Sequence, residues 1–128
     1  NTLRESFDRA IESCNHVIDA DRRAGTGYHF RSQVSDSFRR VSGNDNDLLM
    51  EVHRDLQQVV ECDPTNSKLW FELAVYQNEI GLFADAATAA TRATEIDAVN
   101  RNWGHVDQYL AAEQLERLIL IQRSGDDR

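Results

Sequence analysis

Apolar residues recur three and four positions apart along most of the chain, and short clusters of Gly, Asp, Asn and Ser separate the runs. The first run places Leu3, Phe7, Ala10, Ile11, Cys14, Val17 and Ile18 on one helical face, opened by a Thr2/Glu5 capping box and closed by AGTG at 24–27. YHFRSQVSDSFRRV follows with a narrower stripe of Tyr28, Phe30, Val34, Phe38 and Val41, and SGNDND at 42–47 reads as a loop. Leu48, Leu49, Val52, Leu56, Val59 and Val60 mark a third helix, which must end at Asp63-Pro64 because the residue before proline is pushed out of helical geometry. Asn66 or Ser67 caps the fourth, KLWFELAVYQNEI, whose stripe is Leu69, Trp70, Leu73, Ala74, Gln77 and Ile80, with Gly81 as its stop. An alanine-rich fifth helix spans Phe83 to Ile96, DAVN separates it from the last, and that last helix is expected over 102–122. Its LILI end is apolar nearly all round, so protein is expected on both of its sides. The pattern predicts an all-α fold of about six helices.

Beneath the helices lies a repeat. Val52 and Ala86, Leu56 and Ala90, Val59 and Ala93, Cys62 and Ile96, Asp63 and Asp97, and Asn66 and Asn100 match in type at one constant offset of 34. That period, in helix–turn–helix units, is the period of the tetratricopeptide repeat. Residues 67–100 resemble this family at its signature positions: Trp70-x2-Leu73-Ala74 stands for the W-x2-L-G opening, Gly81 and Phe83 stand at the turn, and Ala86, Ala90 and Ala93 form the small-residue line. Asp97 closes the unit, with Gln77 in place of the usual tyrosine and Ala98 in place of the closing proline. Residues 3–23 resemble a second helix of such a unit: Ala10, Cys14, Val17 and Asp21 line up with Val52, Leu56, Val59 and Asp63. Residues 28–66 form a partial repeat in which Arg31 falls where an apolar residue is expected.

The resemblance implies one domain over 1–128, with antiparallel helix-turn-helix repeats stacked as a short right-handed superhelix and the 102–122 helix capping or linking the stack. It implies a packing role for Trp70, Leu73, Ala74, Gly81, Phe83, Ala86, Ala90 and Ala93. Small side chains at Ala86, Ala90 and Ala93 let neighbouring helices approach closely on several sides. The implied function is a protein–protein interaction scaffold inside a larger protein, binding a peptide or partner surface through the inner face of the repeats. On the 67–80 helix that face carries Lys68, Phe71, Glu72, Val75, Asn78 and Glu79. Phe71 and Val75, one turn apart, form an exposed apolar strip unless another element covers them. A homodimer through the C-terminal helix is the alternative expectation. The lysine- and asparagine-rich clamp that some family members use for a terminal carboxylate is not evident.

Composition narrows the partners. A net charge of −8 disfavours nucleic acid and anionic membrane, since both require concentrated positive charge. No run approaches the roughly 18 apolar residues of a membrane span. Cys14 and Cys62 sit on apolar stripes and read as small buried thiols, without CxxC or Cys/His spacing for zinc. No phosphate-binding glycine loop, HExxH or GxSxG is present, so neither an enzyme nor a cofactor site is expected. Arg23-x5-His29 fits a loose ribonuclease pattern, but it spans the AGTG break, which makes a helical ribonuclease the remote alternative. The chain opens on Asn1 rather than Met, which reads as a domain excised from a larger protein or a processed product, with the cytoplasm as the expected compartment and room for a targeting segment outside this stretch.

Overall fold

The computed structural model describes residues 2–43 and 45–126. It contains six α-helices: α1 (Thr2–Ala20), α2 (Thr26–Ser42), α3 (Asn46–Cys62), α4 (Ser67–Ile80), α5 (Phe83–Asn102) and α6 (Ala112–Asp126). A 3-10 turn, Val106–Gln108, precedes α6, and there is no strand among the described residues. The helices group into two compact units, Asn1–Asp63 and Pro64–Arg128.

In the first unit α2 is the central helix, packed against α1 on one side and α3 on the other. The AGTG break allows the close approach of α1 and α2. A Cβ on Gly27 would stand 2.6 Å from Ile18 Cγ1 and 2.9 Å from the Ile18 nitrogen, so any larger residue would separate the helices. Thr2, expected as a cap, is already helical, and Asn44 of the SGNDND loop lies outside the described residues. Asp45 caps α3 by accepting the Asp47 backbone N–H at 2.8 Å. Arg31, out of place in the repeat pattern, joins all three helices. It donates to both carboxylate oxygens of buried Asp55 on α3 at 2.9 and 2.7 Å, and to Asn15 Oδ1 on α1 at 2.9 Å. Buried Arg39 donates to Asp36 one turn away, at 3.1 and 2.7 Å.

In the second unit α5 is central, with α4 and α6 packed on it and a smaller contact between those two. Asn66, rather than Ser67, caps α4 by accepting the Lys68 N–H at 3.0 Å. Ser67 is buried and donates to the Gln108 carbonyl. Gly81 ends α4 in the left-handed conformation, φ 98°. Ala86, Ala90 and Ala93 are fully buried at 0% exposure, as is Ala74 of α4. Leu73 and Gln77 of α4 are also buried, while Trp70 and Phe83 are half-buried. Close approach is demanded on the α6 side too, where a Cβ on Gly125 would lie 2.3 Å from Ala87 Cβ.

The last two helices depart from expectation. DAVN does not separate them: α5 runs through it to Asn102, and the helix predicted over 102–122 occupies 112–126 instead. Ala98 stands where the family ends this helix with proline, so nothing removes a backbone N–H there and the helix continues. Gly104, at φ 76°, ends the turn that follows. The connection to α6 is then held by side chains of α5. Buried Asp97 accepts the Leu110 N–H at 2.7 Å and the Arg101 Nε–H at 2.6 Å. Arg101 also donates to the Leu110 carbonyl and lies 4.9 Å from the Tyr109 ring centroid. The closing Asp of the repeat is therefore the anchor of the crossing segment.

Candidate protein-binding surfaces

The α4 row comes first. Helical spacing sets Leu73, Ala74 and Gln77 toward the buried side. Of the six residues expected to face a partner, only Glu79 is exposed; Lys68, Phe71, Glu72, Val75 and Asn78 are half-buried. Phe71 and Val75 are thus neither a bare strip nor core. They lie in a mixed row with a cation at one end and carboxylates beside them, and buried Asn78 Oδ1 accepts no hydrogen bond among the described residues. Each half-buried side chain keeps part of its surface available for contact while its neighbours fix its position.

A second surface was not foreseen. The α1 stripe is only partly closed into a core: Cys14 and Ile18 are buried, but along α1 and α2 the stripe lines an apolar groove of about 670 Å³ to which α3 contributes no residue. Leu3, Phe7, Ala10, Cys14 and Val17 of α1 line one wall, and Phe30, Val34, Phe38 and Val41 of α2 the other. Its polar lining is limited to neutral side chains, Ser6, Ser13, Gln33 and Ser37. Phe7 and Phe38 stack at 4.2 Å with 17° between their planes, and the Arg4 guanidinium lies 5.4 and 5.6 Å from the two ring centroids. Val17 is 42% and Phe30 51% exposed, and Leu3 and Val41 are exposed as well. Cys14 is a buried free thiol in this wall, and burial pushes its pKa up, so it stays an uncharged part of an apolar surface. Cys62, half-buried, is also free and donates to the Arg22 carbonyl at 3.5 Å.

The sequence did hold a signal for this groove. Residues 3–23 match the second helix of a repeat, and that helix needs a first helix beside it.

On α6, Leu118 and Ile121 are buried, whereas Ile119 and Leu120 of the same LILI run are exposed. Protein therefore covers one side of this helix, not both. Val99, Trp103 and Val106, around the end of α5, are also exposed. Arg23 lies in the α1–α2 turn and His29 in the first turn of α2. Among the described residues no three His, Cys, Asp or Glu side chains gather as a metal site, and no helix is long and apolar enough to cross a membrane.

Comparison with known proteins agrees with this architecture. A model of the tetratricopeptide repeat matches residues 56–88, from the second half of α3 through α4 into α5. Among solved structures, the TPR2B domain of yeast Sti1, determined as a complex with pHsp70, matches with a TM-score of 0.66. The match covers 97% of this chain and 86% of that one at 14% identity, which is a likeness of fold alone. No curated protein matches the sequence significantly. With a repeat match over residues 56–88 and a shared fold along nearly its whole length, the chain has a tetratricopeptide-like helical-repeat fold.

Proposed function

We propose that this domain is a protein–protein interaction scaffold that holds a peptide or partner surface on the first helices of its hairpins. Lys68, Phe71, Glu72, Val75, Asn78 and Glu79 of α4 form the contact row. The observation that carries this reading is their shared state: an apolar pair one turn apart, half-buried, with charged and amide groups around it, on the helix side away from the buried Leu73, Ala74 and Gln77. Partner sites commonly combine an apolar centre with a polar rim. The likeness to a domain solved with a bound partner supports a binding role over a catalytic one. Phe71 and Val75 stand where a carboxylate clamp would need polar groups, and the net charge of −8 opposes an acidic ligand, so the partner is neutral or basic along this row.

The test is affinity capture with wild type beside a Phe71→Ala/Val75→Ala variant and a Lys68→Glu variant, with circular dichroism confirming that each is folded. A specific partner should be lost from the double variant and retained or strengthened by the charge reversal, which makes the row more acidic towards a neutral or basic partner. Equal capture by all three proteins would remove α4 from the contact.

A further inference from the structure

We draw no further inference here: the strongest candidate, the apolar groove between α1 and α2, carries nothing because nothing in the structure shows what covers it.

Discussion

Ala90→Leu tests the packing argument most directly. Ala90 is at 0% exposure on α5, and α5 is contacted by α4 and α6. In a roomy core the larger side chain would gain about 2 kcal/mol from burying its extra carbons. Here Ala90 is at 0% exposure between α4 and α6, and α6 lies so close to the start of α5 that a Cβ on Gly125 would meet Ala87 at 2.3 Å. Overpacking then dominates, at a loss of about 1–3 kcal/mol. For a unit of this size each kcal/mol lowers Tm by about 4–8 °C. The control is Ala84→Leu on the exposed side of the same helix, where the change should stay within about 0.5 kcal/mol because leucine nearly equals alanine as a helix former. Urea unfolding followed by tryptophan fluorescence is the assay. Both tryptophans, Trp70 and Trp103, lie in the Pro64–Arg128 unit, so the signal reports on that unit alone. Equal midpoints for the two variants would refute the view that the alanines are there for close contact.

Three further substitutions probe the joints of each unit. Asp97→Ala leaves the buried Leu110 N–H without its acceptor and should lower stability by about 1–3 kcal/mol in the same fluorescence assay; an unchanged midpoint would show that water replaces the carboxylate. Asp55→Ala removes both oxygens that Arg31 holds, and a loss of about 1–3 kcal/mol is expected by far-UV circular dichroism, smaller than for a fully buried pair because the Arg31 side chain is 30% exposed. Gly27→Ala improves helix propensity by about 1 kcal/mol, yet the new Cβ meets the Ile18 backbone nitrogen at 2.9 Å. The clash should win, and a rise in Tm for this variant would show that α1 can shift freely on α2.

How far these features could be read in advance differed from helix to helix. The ends of α3 and α4 follow from local chemistry, since Pro64 forbids continuation and Gly81 tolerates the left-handed residue that closes a helix. The end of α5 did not follow, because DAVN resembles a boundary only by its place in the repeat and contains nothing that breaks a helix. Arg31 looked like an error in register. Its role depends on Asn15 and Asp55, which are distant in sequence and meet it only once the three helices are assembled.

The α4 row and the groove show the limit most clearly. Phe71 and Val75 stood out by their spacing, yet their half-buried state could not be read from α4 itself. The α1 stripe recurs at the same three- and four-residue spacing as the small-residue line of α5, yet Leu3 and Val17 stay exposed along a groove while Ala86, Ala90 and Ala93 are sealed. The ends of α3 and α4 and the small-residue line of α5 could be read from the sequence alone, because each depends on residues within a turn or two of one another, and the 34-residue period showed in matching residue types. Which faces are covered was decided only by tertiary structure, because burial depends on the second surface that meets a stripe as much as on the stripe itself.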